Sequence, residues 1–364
     1  MRRLGISVYP EHSSEKEYLD YIELASKYGF KRIFTCFLSA SRDSEKLKQK
    51  FMPFFNRAHE LGFEISADTN NDVFASLGIT TSDIKYLKDI GIDIVRLDGR
   101  FTQIEEIGLT NNPYGIKVEF NASRDSYLED LIRHGANKRN ILVCHNFYPQ
   151  LYSGLSLKTF ERFNKKWIEL GVRNAAFISS NASNTFGPWP VSDGLVTLED
   201  HRGLPIDVQA RHMIAMECID DIFIGNAFAT EEELKSLSEI DLSVTSLKVK
   251  ISSGISRLED ELVFGYNLSG RDDESEYYIR CSKTRLAGKG NIIPRQINDK
   301  YLKRGDVVIV NDNLKHYAGE IEIILKDIPN DGTRNLIGHI SNHEDLILNE
   351  MEKHHDHTFR IIKE

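Results

Sequence analysis

The chain has 364 residues, too many for one minimal domain, and fits either two even domains or a barrel of roughly 250 residues with a smaller module. Charged residues make up 28% and the hydrophobic set 40%, which excludes a disordered chain, and no apolar run approaches the ~20 residues that span a bilayer. A net charge of −9 excludes a general nucleic-acid coat, which needs a basic face.

Residues 1–10 carry two arginines and a short apolar run without the core and cleavage site of a signal peptide, and they read as a first strand. Short apolar runs follow at 32–37, 63–67, 94–98, 116–120, 141–145, 175–179 and 221–224, which with 4–9 makes eight candidate strands. Amphipathic helical patterns lie between them at 15–28, 44–61, 82–90, 124–134, 157–170 and 206–218. Eight strand–helix units predict a closed parallel TIM (β/α)8 barrel of the α/β class, and no GxGxxG follows the first strand to suggest a dinucleotide fold. After a last helix near 230–239, turn residues become frequent and 277–281, 307–310 and 321–325 read as strands. The expected domains are therefore a barrel over 1–240 and a small, mostly β module over 241–364. Cys36, Cys144, Cys218 and Cys281 form no CxxC, which points to a reducing cytoplasm rather than a disulfide scaffold or zinc ribbon. The histidines near 354–357 read as a solvated helix end rather than a metal site.

Side chains alternate along a strand, so one parity faces the barrel interior. That parity collects Gly5, Ser7 and Tyr9, then Glu64, Ser66 and Asp68, then Ile94, Arg96 and Asp98, then Lys117, Glu119 and Asn121. Glu64, Arg96 and Lys117 are expected lower down as an ion network. Asp68, Asp98 and Glu119 fall near strand C-terminal ends, where barrel active sites sit. His145 and Asn146 end the sixth run, Asn181 ends the seventh, and aromatic rings follow in the 186–190 loop. Amides, hydroxyls and flat rings suit a sugar. Two carboxylates are the minimum kit for glycoside hydrolysis: neighbouring strands would place Asp98 and Glu119 at the spacing of retaining enzymes, Asp68 and Glu119, two strands apart, would suit inversion, and an acetamido oxygen on the substrate could serve as nucleophile instead. A phosphate would need arginines, and the candidates are Arg202, Arg211, Arg285 and Arg295.

Several stretches resemble one bacterial family: Gly5-Ile6-Ser7-Val8-Tyr9-Pro10, Arg96-Leu97-Asp98-Gly99, Val118-Glu119-Phe120-Asn121-Ala122-Ser123 and Cys144-His145-Asn146-Phe147-Tyr148-Pro149. The second half adds Ile292-Ile293-Pro294-Arg295-Gln296-Ile297-Asn298-Asp299 and Arg304-Gly305-Asp306-Val307-Val308-Ile309. The chain thereby resembles the 6-phospho-N-acetylmuramidases, glycoside hydrolase family 170, over both domains. The resemblance implies a TIM barrel followed by a cyclophilin-like β domain. It also implies a cytoplasmic, exo-acting enzyme of peptidoglycan recycling that cleaves the β-1,4 bond of N-acetylmuramic acid 6-phosphate–N-acetylglucosamine. The motif carboxylates are Asp98 and Glu119. The expected assignment is Glu119 as main acid/base and Asp98 as nucleophile or orienter, with Asp68 next. The seventh run ends in Ser and Asn, which departs from barrels with a glutamate on that strand.

On this reading Tyr9, Asn121, His145, Asn146 and Asn181 bind sugar, and no metal or cofactor takes part. The second module caps the barrel mouth, with Arg285 or Arg295 reaching the phosphate. The partner is a phosphorylated amino-sugar disaccharide rather than a nucleic acid or membrane, and a homo-oligomer is compatible with the sequence. Two rivals are a metal-dependent sugar-phosphate isomerase or aldolase, with Asp68, Asp98, Glu119 and His145 around a divalent ion, and a non-catalytic phosphosugar sensor.

Overall fold

The computed structural model describes residues 1–38, 44–99, 101–191, 193–296 and 298–364. Eight parallel strands close into a barrel: β1 (Arg3–Ser7), β2 (Arg32–Cys36), β3 (Glu64–Thr69), β4 (Ile94–Leu97), β5 (Lys117–Asn121), β6 (Ile141–Cys144), β7 (Arg173–Ile178) and β8 (Asp221–Ile224). Each pairs with the next in chain order, and β8 returns to β1. The connecting helices are α1 (Glu15–Lys27), α2 (Ser44–Glu60), α3 (Asn71–Ser76), α4 (Lys85–Ile90), α5 (Gln103–Thr110), α6 (Leu128–Arg133), α7 (Leu157–Leu170) and α8 (Ile206–Ala215), and α9 (Glu231–Ser238) follows β8. None of the described helices is long and apolar enough to cross a membrane.

Local chemistry sets these boundaries. Capping boxes start α1 (Ser14 with Glu17), α5 (Thr102 with Glu105) and α9 (Thr230 with Glu233), satisfying backbone N–H groups that the first turn leaves open. Gly171 ends α7 at φ +59, a left-handed conformation that glycine adopts without a Cβ clash. Two predicted helices differ. The one over 82–90 begins only at Lys85, because Thr80 Oγ1 bonds Ser82 Oγ and accepts from the Asp83 N–H in a turn. The one over 124–134 begins only at Leu128, because Asn121, Asp125 and Ser126 bond local backbone and Tyr127 takes φ +50. Residues 122–127 are therefore a loop at the barrel rim.

The barrel interior has two halves. Phe34, Phe177 and Phe223 from β2, β7 and β8 stack edge-on or tilted, with centroids 5.1 to 6.3 Å apart. Gly5 makes room for them, since a Cβ there would meet the Phe223 ring at 2.4 Å. The other half is ionic. At its base Glu64 meets Arg3 at 3.0 Å and Lys117 at 2.7 Å, while Asp221 gathers Arg3, Arg32 and Arg173.

The chain divides into two compact units, one of Met1–Met213 and Cys218–Ile240, the other of Ile214–Glu217 and Asp241–Glu364. In the second, β9 (Thr245–Ile251), β10 (Leu268–Ser269), β11 (Tyr278–Cys281), β13 (Asp306–Val310), β14 (Ile321–Ile324), β16 (Arg334–Ile340) and β17 (Thr358–Lys363) form one sheet in the order β10-β17-β9-β16-β13-β14-β11. A short pair, β12 (Tyr301–Leu302) and β15 (Ile328–Pro329), stands apart from that sheet. The apolar faces of β9, β13, β14 and β17 pack with α10 (Arg257–Phe264) and α12 (Asp345–Met351), while α11 (Arg285–Gly288) is a single turn.

Candidate active site

A small cavity of about 110 Å³ opens at the C-terminal ends of β3, β4, β6 and β7. Asp68, Arg96, Asp98 and Asn146 give it a polar wall, and Phe147, Phe177 and Trp189 give it an aromatic one. Strand pairing makes this wall. Asp68 lies beside Arg96 across β3 and β4, and the arginine is long enough to reach the rim. Its Nη1 meets Asp68 Oδ1 at 2.6 Å and Asp98 Oδ1 at 3.5 Å, and its Nη2 donates to Asn146 Oδ1 at 2.5 Å. Arg96 was expected in the lower ion network. It instead organises the cavity, because its guanidinium extends past the register of its own Cα.

The two carboxylates differ. The Asp98 side chain is 38% exposed, whereas Asp68 is buried, and burial pushes its carboxyl up to about 7 although Arg96 pulls against the shift. One side chain can therefore hold a proton near neutrality, while the other stays open to water.

Glu119 sits elsewhere. It is fully buried beside Arg96 in the strand register, where it faces Arg32 at 3.3 Å and accepts from Ser66 Oγ at 2.9 Å. It does not line the cavity. The sequence reading missed Arg32 and Asp221 because it assigned inward parity only on the first, third, fourth and fifth runs.

The structure divides the expected sugar-binding residues. Asn146 is on the cavity wall, and Asn121 donates to its Oδ1 at 3.0 Å. Because both partners of that oxygen are donors, the Asn146 N–H2 group must turn the other way. Tyr9 is buried and donates its hydroxyl to Gly225 O at 2.6 Å, so it closes the barrel top and does not line the cavity. His145 points to the helix layer. Ser123 Oγ accepts from the Asn146 N–H at 2.9 Å, so it can give its own proton to His145 Nδ1 at 3.2 Å. Nε2–H then faces Asn164 Oδ1 at 2.9 Å, and burial lowers this neutral imidazole to about 4. His145 thus anchors the loop that carries Asn146. Among the described residues no three His, Cys, Asp or Glu side chains converge to hold a metal ion, so the four groups weighed for a divalent cation do not form one site.

Two larger cavities flank the first. One of about 340 Å³ lies at the ends of β4 and β5, lined by Asn121, Gln103, Arg124 and Ser126. Arg124 donates to Gly99 O at 3.2 Å. The other, of about 680 Å³, lies at the ends of β7 and β8 and includes Asn181, Asn226 and Arg202. Asn181 is exposed there and donates to Leu204 O at 2.8 Å.

The arginines predicted for phosphate are committed. Arg202 uses five N–H donors on both Glu199 oxygens and the carbonyls of Tyr148, Asp193 and Gly194. Arg211 is buried on α8, 3.1 Å from Asp207. In the second unit Arg285 donates to His316 O and lies over the Tyr317 ring, while Arg295 meets Glu259 at 3.1 Å and donates to Gly254 O and Leu336 O. Arg124 went unrecognised because its loop reads as helix.

Comparison with known proteins shows the family. A family model described as 6-phospho-N-acetylmuramidase, N-terminal, matches residues 4–239, and its C-terminal counterpart matches residues 245–360. An uncharacterized protein of B. cereus has a similar crystal structure, at 37% identity over 99% of each chain and a TM-score of 0.90. A conserved protein from Enterococcus faecalis, 23% identical over 100% of this chain and 96% of its own, shares the fold at a TM-score of 0.70. No protein of curated function matches. The chain belongs to the 6-phospho-N-acetylmuramidase family, a family of glycosidases.

Proposed function

We propose that this protein hydrolyses the β-1,4 bond between N-acetylmuramic acid 6-phosphate and N-acetylglucosamine, in the cytoplasm, during peptidoglycan recycling. The family supplies the reaction class. The observation that carries the reading is the cavity in which Asp68 and Asp98 share Arg96 opposite aromatic rings.

In this mechanism Asp68 gives its proton to the bridging oxygen as the bond to the anomeric carbon breaks, so the leaving sugar departs as an alcohol. Asp98 closes on the anomeric carbon from the other face. A water then attacks that carbon, giving its proton to Asp68, and the bond to Asp98 breaks. Arg96 holds both carboxylates in place and Asn146 fixes Arg96. Because both oxygens flank one nitrogen at 2.6 and 3.5 Å, their separation is bounded at about 6 Å, nearer the ~5–5.5 Å of retaining enzymes than the ~6.5–9.5 Å of inverting ones. Arg124 takes the phosphate from the neighbouring cavity, where Ser126, Gln103 and Asn121 add polar groups.

The test is incubation of the purified full chain with the synthetic phosphorylated disaccharide, followed by NMR. Release of both sugars, with the β-anomer of the phosphorylated sugar formed first, is expected. Binding without turnover would overturn the enzyme reading in favour of a sensor, and the α-anomer first would overturn the two-carboxylate displacement.

A further inference from the structure

Tyr152, in the loop after β6, combines two features that a simple turn does not need. Its φ is +66, a left-handed conformation that is uncommon for a bulky non-glycine residue, yet its side chain is 88% exposed. Nothing in the core explains a tyrosine there. The conformation is imposed from below. Glu199 accepts from the Tyr152 N–H at 2.9 Å and from the Gly154 N–H at 2.7 Å. Arg202 grips the same carboxylate with two bonds of 2.7 Å, and Arg202 and the two N–H groups hold it down at about 2. The fit excludes a larger residue at 154, where a Cβ would lie 2.6 Å from the Glu199 carboxylate. A half-buried ionic clamp therefore holds the backbone of an exposed aromatic residue in place.

That ring lines the cavity at the ends of β7 and β8, together with Leu151, Asn181, Thr185 and Asn226. Barrels commonly hold phosphate near these loops. Here the chemistry opposes it: among the described lining residues Arg202 is the only cation, and its five N–H donors are spent, while Asp193 adds negative charge. An aromatic face, an exposed leucine and side-chain amides instead suit an uncharged pyranose, whose apolar ring face stacks on tyrosine and whose hydroxyls meet amides.

We infer that Tyr152 is the stacking platform for the uncharged leaving sugar, an N-acetylhexosamine, and that the Glu199–Arg202 clamp positions it. The inference rests on the glycosidase reading above and deepens it.

Two measurements test it. The first is saturation-transfer NMR with N-acetylglucosamine as probe, on the wild-type chain and on Tyr152→Ala. Wild type should bind it, and the variant should bind about fivefold more weakly or worse. The second compares kcat/KM on the disaccharide with that on the methyl glycoside of the phosphorylated sugar. Tyr152→Ala should lose about tenfold on the disaccharide and be unchanged on the methyl glycoside, while Tyr152→Phe retains both. Equal loss on both substrates, no loss on the disaccharide, or undiminished binding of N-acetylglucosamine by Tyr152→Ala would overturn the assignment. If wild type cleaves neither substrate, the glycosidase reading fails by itself, and the NMR titration still decides the subsite.

Discussion

Asp68 and Asp98 share one guanidinium nitrogen but differ in burial, and that difference separates their roles. A carboxyl raised to about 7 is protonated below that pH and loses its proton as pH climbs through it. Asp68 as general acid therefore predicts a kcat/KM that falls on the alkaline side of about pH 7. Asp68→Asn should lower kcat by roughly 10²–10⁴, abolish that alkaline limb and leave the dissociation constant for the disaccharide nearly unchanged. An unaltered limb in the variant would show that another group sets it. Glu119 gives the opposite expectation. It is wholly buried against Arg32 and Ser66, so Glu119→Gln removes one carboxylate from a cation that keeps Asp221. The variant should lose about 1–3 kcal/mol of stability, seen as a lower Tm, with most turnover per folded molecule retained. A thousandfold loss at unchanged Tm would return Glu119 to the catalytic role that its motif suggests.

At the scale of elements the barrel closes on a glycine. A Cβ at Gly5 would meet the Phe223 ring at 2.4 Å and the Arg32 Cβ at 2.9 Å, so Gly5→Ala overpacks the junction of β1, β2 and β8. The expected cost is about 1–3 kcal/mol, read in a denaturant titration, and a neutral result would mean that the ring turns aside. The eight strands were legible as short apolar runs, most of them separated by amphipathic helices, and 221–224 matches the observed strand end to end, whereas α5 between β4 and β5 went unrecognised. Six of the nine described strands of the second unit were not recognised; three of them are two-residue pairings, but β9 carried the signal: Leu247 and Val249 alternate with Lys248 and Lys250 and are buried. In the site, parity alone put Asp68, Arg96 and Asp98 on the inner face. It could not say that Arg96 would reach upward or that Glu119 would be buried against Arg32 and Ser66, because side-chain reach and shear depend on the closed barrel. Asn146 lies on the cavity wall and His145 turns to the helix layer, since one residue beyond a strand end the alternation no longer applies.

For the molecule as a whole, a net charge of −9 provides no general field for a phosphate, so particular arginines must hold it. Their commitments narrow the choice. Arg202 is saturated and Arg211 is buried on its own helix. Arg285 and Arg295 are engaged inside the second unit, with Tyr317 and Glu320 and with Glu259 respectively. Arg124 faces a cavity of about 340 Å³ with three acids in its wall, Glu106, Asp125 and Asp130, of which two have cations of their own, Asp125 with Lys166 at 2.5 Å and Asp130 with Arg133 at 3.0 Å. Arg124→Ala should therefore raise KM for the phosphorylated disaccharide by about tenfold or more and leave KM for its dephosphorylated analogue unchanged, because a charge-assisted contact is lost with one substrate only. Arg285→Ala and Arg295→Ala should shift both KM values alike or not at all. For Arg295→Ala the loss of a partner for buried Glu259 should appear as a lower Tm. A selective rise in KM for the phosphorylated substrate in either of these variants, with none in Arg124→Ala, would move the phosphate site to the second unit.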